Sequence, residues 1–177
     1  MGVKRYREKA VLFTGCLFSS KEVFNAALAV LREKFGGTLL ETAPLPWTHS
    51  DYYSEEMGLP LYRSFIFFDA VIDTAILPDA KLRIMDIEKD FSKDGKRKIN
   101  LDPGYLSLAK VVLASRKNYS HRIYLGKLVF AELELTFKEG RFHPLPYTYT
   151  DYRDETNIKV FEEARGLLKR IIDSCSP

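Results

Sequence analysis

The chain holds only two cysteines among 177 residues, Cys16 and Cys175, one near each end. Neither belongs to a C-x-x-C pair, which argues against a disulfide framework and against a thiolate-built zinc site. Cys16 lies in an apolar run and reads as a small buried hydrophobe, not a nucleophile. Cys175 falls in a tail expected to fray. Charge of one sign is also scarce. The 27 basic and 24 acidic residues leave a net +3, too mild for a nucleic-acid or membrane surface, which needs a concentrated basic face. No apolar run approaches the ~18 residues of a membrane helix. The basic stretch Met1 to Lys9 leads into a short apolar run without a small-residue cleavage site. No secretory signal is read, and cytoplasm is the expected compartment.

Familiar catalytic signatures are missing too. The segment Gly15 to Lys21 follows a strand-like run and opens a helix, but it lacks the second glycine and the Lys-[Ser/Thr] ending of a phosphate loop. There is no G-x-G-x-x-G, no G-x-S-x-G and no pairing that points to a Ser or Cys nucleophile. His49, Asp51, Asp102, His121 and Asp151 offer metal-ligand chemistry, yet no ligand spacing joins them, so no metal is expected. The cofactor, if there is one, stays unknown.

What is present is an ordinary globular composition, 46% apolar and 29% charged, with a heavy load of rings in ten Tyr and twelve Phe. Ala10 to Phe18 is an apolar run that suits a strand buried on both faces. Ser19 and Glu22 match a capping box, and Phe24, Ala27, Leu28, Leu31 and Phe35 recur at helical spacing until Gly36-Gly37. Thr38 to Leu45 reads as a strand, Leu61 to Ile72 as another, and Pro78 to Phe91 as a helix with Ala80, Ile84, Ile87 and Phe91 inward and Lys81, Arg83, Asp86 and Lys89 mostly elsewhere. From there the period turns from helical to two: Lys110–Ser115, Arg122–Leu125, Leu128–Phe137 and Arg141–Leu145 are short strand-like runs between turn residues. Tyr105 to Ala114 is open between helix and strand. A final helix spans about Glu155 to Ser174 with Ile158, Phe161, Leu168 and Ile172 inward. The expectation is one α+β domain over residues 1–177. It has a mostly antiparallel sheet, a β-α-β-β-α start of ferredoxin-like flavour, a β-meander and a C-terminal helix. That order suggests helices against one sheet face.

One internal echo stands out. Pro44 to Tyr53 (PLPWTHSDYY) and Pro144 to Arg153 (PLPYTYTDYR) share six of ten residues, while their flanks do not match. In each, prolines end a strand and Thr-x-x-Asp has the form of a cap for the next turn. Two readings stay open: separate corners with one local solution, or neighbouring corners whose Asp51, Tyr52, Asp151 and Tyr152 line a shared cleft.

Two further segments carry chemistry. Asn100-Leu101-Asp102-Pro103-Gly104-Tyr105 has Asp before Pro-Gly, a type II turn signature, which leaves Asn100 and Tyr105 as ligand candidates. Lys117 to Tyr124 reads as a tight hairpin whose Lys117, His121 and Arg122 suit a phosphate or carboxylate, with Arg122 and Tyr124 on one face. The basic run Lys96-Arg97-Lys98 reads as a solvated turn.

The runs THSDYY (48–53), NLDPGY (100–105), HRIYLG (121–126) and PLPYTYTDY (144–152) together resemble DUF4416, a prokaryotic family of unknown function. The resemblance spans nearly the whole chain and implies no activity. Some similar sequences bear a GTP-binding label, which the absent phosphate loop and absent N-K-x-D segment do not support. The functional expectation is therefore a cleft for a small anionic ligand, a nucleotide or phosphorylated metabolite. Lys117, His121 and Arg122 supply charge there, Tyr52, Tyr105, Tyr124 and Tyr152 supply rings, and Asn100 and Asp102 supply directed hydrogen bonds. Asp51, Asp102, Asp151 and His121 are the acid-base candidates. The alternatives are a non-catalytic assembly module using Tyr52, Tyr53 and Tyr149, in which case a homo-oligomer is open, and an RNA-binding protein using residues 96–98.

Overall fold

A computed structural model describes residues 8–174; the basic N-terminal stretch before Glu8 and Cys175 lie outside the described residues. The chain runs β1 (Lys9–Phe18), α1 (Lys21–Phe35), β2 (Thr38–Glu41), β3 (Leu45–Pro46), a short α2 (Ser54–Met57) and β4 (Tyr62–Asp73). A single 3-10 turn then leads to α3 (Leu77–Asp90), β5 (Ile99–Ser107), β6 (Lys110–Ser115), β7 (Ile123–Gly126), β8 (Val129–Lys138) and β9 (Arg141–Pro144). A short α4 (Thr150–Arg153) and α5 (Glu155–Ser174) complete it. All strands join one antiparallel sheet in the order β2-β4-β1-β5-β6-β8-β7, with β3 on β4 and β9 on β8. Strands β1, β2, β4 and β5 thus interleave as in a ferredoxin-like split β-α-β unit.

Alternation along β1 explains the layering. Leu12, Cys16 and Phe18 enter one core with α1 and α3 (Phe24, Leu31, Ile84), while Val11 and Phe13 enter a second core with α5 (Ile158, Phe161, Leu168). A strand apolar on both sides needs cover on both sides, so α5 packs on the face opposite α1 and α3 and the helices are not confined to one face. Rings dominate the second core: Phe161 lies 5.2–5.4 Å, centroid to centroid, from Phe13, Phe65, Phe67 and Tyr152.

Local signals are resolved with small shifts. The cap of α1 is Ser20, whose Oγ accepts from the Val23 amide at 3.3 Å and donates to Glu22, while Ser19 Oγ donates to the Met57 carbonyl. Gly36 ends the helix at φ 101°. The run 38–45 breaks into two short edge pieces, β2 and β3. The open segment 105–114 is a β5–β6 hairpin.

One reading fails outright. Asp102-Pro103-Gly104 is not a turn but the middle of β5, paired with Gly15, Thr14 and Phe13 of β1. Gly104 is needed there because a Cβ would lie 2.6 Å from the Phe13 ring and collide with the Val112 carbonyl. The glycine serves close strand approach, not turn geometry.

Candidate functional site

The site begins with a defect in the sheet. β5 pairs with β1 along its whole length and β6 with β8 along its whole length, but β5 and β6 pair with each other only at Gly104–Leu106 and Val111–Leu113. Beyond those three pairs the strands fork. The residues of β5 in the fork fit a missing neighbour. The Leu101 amide donates instead to Glu88 Oε1 at 2.7 Å, and Pro103, two residues on along the same edge, has no amide to leave unpaired. A cleft of about 500 Å³ opens in the fork. Helix α3 lines one side with Lys81, Met85 and Glu88, at spacings i, i+4 and i+7. Asn100 and Asp102 of β5 face Ser115, Arg116 and Lys117 at the end of β6, and the two Pro-Leu-Pro corners form the rim.

The corners lie at the same end of the sheet. His49 of the first is 3.0 Å from Asp154, just past the second. Asp151 of the second lies 2.9 Å from Arg63, which pairs in register with Leu45 of the first. Their matching residues nevertheless do different work. Tyr52 is 70% exposed at the rim, whereas Tyr152 is 1% exposed in the second core. Neither Asp caps a helix: the Asp51 main-chain carbonyl receives the Ser54 amide, and Asp151 is buried against Arg63. Thr148 Oγ1 accepts from the Leu145 amide and donates to the Glu134 carbonyl, which ties the second corner to β8.

A chain of charges crosses the cleft floor. Glu56 takes two Arg97 nitrogens at 2.8 Å; Arg97 donates to Asn100 at 2.7 Å, and Asn100 donates to Asp102 at 2.8 Å. Arg63 stands 3.8 Å from Asp102 and pairs with Asp151 without hydrogen-bond alignment. Arg63 sits 4.9 Å above the Phe65 ring, over Gly15, where a Cβ would come within 2.6 Å of its guanidinium. Burial opposes its charge, but Asp151, Tyr152 and Asp102 hold its pKa above the ordinary value. Burial raises the Asp151 carboxyl, against the pull of Arg63, and pushes the Tyr152 phenol well up. The Tyr152 hydroxyl, Arg63 Nε and Glu134 Oε1 are buried with no hydrogen-bond partner among the described residues.

The second wall is a closed network around Arg122. Its Nε and Nη2 hold Glu132 at 2.7 and 2.6 Å, Nη1 reaches Ser115 and the Lys117 carbonyl, and Nη2 also reaches the Tyr149 hydroxyl at 2.8 Å. Arg122 is therefore not a free cation facing a ligand. It is the buried tie that positions residues 115–117 and the second corner. His121 joins the same Glu132 at 2.7 Å and stacks on Tyr147 at 4.4 Å. Arg122 and His121 point to one carboxylate because residues 116–122 form a turn and the strand starts only at Ile123. Glu134 accepts from the Tyr149 amide at 3.1 Å, and burial together with Glu132 pushes its pKa up to about 8.

Of the residues singled out by sequence, Tyr52, Asn100, Asp102, Lys117, Asp151 and Tyr152 line the cleft. Asp51, Tyr105, His121, Arg122 and Tyr124 do not: Tyr105 packs into the α1/α3 core, and Tyr124 packs on Phe130 on the far strand β7. Among the described residues no group of three or more His, Cys, Asp or Glu gathers to hold a metal. Residues 96–98 are not a loose basic turn, since Arg97 is locked to Glu56. Sequence reasoning missed Arg63, Lys81, Glu88 and Glu132. For Lys81 and Glu88 a signal existed: they lie seven apart, bracketing Ile84 on the inward stripe.

Lys81 is only 7% exposed, lines the cleft, and has no close ion pair or hydrogen bond among the described residues. Lys117 Nζ stands 5.9 Å from the Tyr52 ring, across the mouth. Glu88 is buried beside Arg97, 3.9 Å away, and burial, opposed by Lys81, raises its pKa to about 7.

The family Domain of unknown function (DUF4416) matches residues 8–167 of the chain. The chain belongs to this family. No curated protein and no solved structure matches it significantly. Among the described residues of this DUF4416 domain, no helix is long and apolar enough to cross a membrane.

Proposed function

We propose that this DUF4416 domain binds a small anionic ligand, a nucleotide or phosphorylated metabolite, in the fork between β5 and β6. The observation that carries the reading is Lys81, a lysine more than nine-tenths buried that lines the cleft with no hydrogen bond or close ion pair among the described residues. Its stem is buried while its ammonium, not sealed from the cleft, is placed to meet an anion there. Lys117 and Arg116 add charge at the mouth. Tyr52, exposed and next to Lys117, supplies a face for a planar group. Asn100 and Asp102 offer oriented acceptors on the floor, already aligned by Arg97. The free thiol of Cys16 fits a reducing compartment, the cytoplasm.

The test is a thermal-shift panel of nucleotides, sugar phosphates and inorganic anions on the wild type and Lys81→Met, which keeps the buried stem. An anion at about one hundred times its Kd stabilises by about 2.7 kcal/mol, which raises Tm by about 5–10 °C for a chain of this size. The variant should keep its own Tm near that of the wild type and lose the shift. A panel without any shift, or an equal shift in Lys81→Met, rejects the reading.

A second reading has its own observation. Ile123, Tyr124, Leu125 and Leu128 are exposed together on the edge strand β7 and its turn, with Ile123 at 71%. An apolar sheet edge suits a protein partner or a second copy. Light scattering on the wild type and Ile123→Lys tests it: concentration-dependent mass, lost in the variant, favours assembly.

A further inference from the structure

We propose that Lys81 and Glu88 together form a seat for a tetrahedral oxyanion, with Glu88 acting as a neutral hydrogen-bond donor, so that a phosphate monoester binds together with one proton. This rests on the cleft reading above and assigns the ligand class and the proton traffic of that same site.

The geometry begins on α3. Residues 81 and 88 are two turns apart on one face, with Met85 between them, and all three line the cleft. Lys81 and Glu88 are both buried, at 7% and 8% exposure. Glu88 is held by one oxygen only. Its Oε1 takes the Leu101 amide at 2.7 Å and lies 3.9 Å from Arg97 Nη1, while Oε2 has no hydrogen bond among the described residues and is not sealed from the cleft. A carboxyl anchored through one oxygen has its other oxygen placed to carry a hydrogen and to donate it.

The charges around Glu88 decide which form is cheaper. Lys81 on its own helix and Arg97 on the segment before β5 favour the carboxylate; Asp102 on β5 opposes it. Arg97 is already neutralised by both Glu56 oxygens, from α2. Burial is the largest influence and favours the protonated form, so the pKa stands at about 7. Bringing in an anion adds a second negative charge next to the same lysine. An ionised Glu88 would repel it, whereas a protonated Glu88 gives it a hydrogen bond. Binding the anion and binding the proton therefore favour each other.

Lys81 and the Glu88 hydroxyl supply two donors from one wall, and Arg116 and Lys117 approach from the mouth. Donors on two sides match the oxygens of a tetrahedral anion. The fourth substituent of a monoester then runs out toward Tyr52.

The experiment is isothermal titration of the full chain with sodium sulfate, which does not change its own charge between pH 6 and 8.5, in two buffers of different ionisation enthalpy. In the wild type we expect proton uptake on binding and an affinity that falls about ten-fold from pH 7.5 to 8.5, the slope of one linked proton above its pKa. Glu88→Gln keeps an oxygen for Leu101 and a permanent N–H donor, so it should bind sulfate with an affinity constant within two-fold over the range. Pairing inorganic phosphate with phenyl phosphate separates the free ion from the monoester: tighter phenyl phosphate supports the monoester, and tighter inorganic phosphate overturns that class. If sulfate binds, is lost in Lys81→Met, but shows the same pH slope in the wild type and Glu88→Gln, the role of Glu88 is overturned and the anion cleft stands. If no anion binds at any pH, or Lys81→Met binds like the wild type, both fall together.

Discussion

At the residue scale the molecule sets several ionisable groups where water does not reach, and each has a measurable signature. Glu134 is the clearest. It is buried on β8, one oxygen holds the Tyr149 amide and the other is unpartnered, and its pKa lies at about 8. A carboxyl raised in the folded state holds its proton there longer than in the unfolded chain. Its penalty is absent below the ordinary Glu range near pH 4.5, grows as pH rises to about 8, and is constant above. Glu134→Gln carries no such charge. We expect the variant to match the wild type at pH 5 and to be more stable at pH 8.5, by on the order of a few kcal/mol, read from urea unfolding at both pH values. Equal differences at the two pH values would show that Glu134 is ionised in the fold. Arg122 makes the opposite point. Its sequence context, between His121 and Ile123, looked like an exposed anion site. Charge alone does not tell a free guanidinium from one whose nitrogens are all engaged, and the Glu132 that engages them alternates with apolar residues along β8, the usual pattern of a water-facing side chain.

At the element scale, the parts set by local periodicity were legible. Helix α1 with its glycine stop, α3, α5 and the strand runs of β1, β4 and β8 all follow from spacing, caps and alternation. The segment 100–105 was not, because Asp-Pro-Gly is normally turn chemistry. Here each residue of the triplet answers to a neighbour in space: Asp102 to Asn100 and Arg63, Pro103 to an absent strand, Gly104 to Phe13 and Val112. The convergence of β5 and β6 therefore hangs on one missing methyl. Gly104→Ala should destabilise the domain by about 2–4 kcal/mol through overpacking against a main-chain carbonyl that has nowhere to go, seen as a Tm lower by about 5–15 °C. A loss within 1 °C would mean that the strands separate readily and that the glycine has no packing role. The cleft itself was half legible. Both polar corners and residues 100, 102 and 117 were marked by composition, whereas the α3 wall was hidden because a lysine near an apolar stripe normally turns its ammonium to water.

At the scale of the whole molecule, the chain folds as two strand groups. β2, β3, β4, β1 and β5 make one, and β6, β8, β7 and β9 the other. Three residue pairs join them along the sheet, helped by α3, which touches β5, β6 and β8, and by α5, which touches β1, β2, β5 and β9 from behind. No local pattern announces such a seam, because it is the place where two long-range registers fail to continue. Amides at Tyr105 and Val112, inside the seam, should exchange with deuterium faster than those of β1, whose neighbours flank it on both sides. An occupant of the fork that touches both groups should slow them. If the seam amides are as protected as those of β1, the two groups move as one plate. A sheet fastened at three points is a clothes peg: the pins that keep it from falling apart also fix the pivot, and whatever is gripped at the open jaws is felt as tension at the spring.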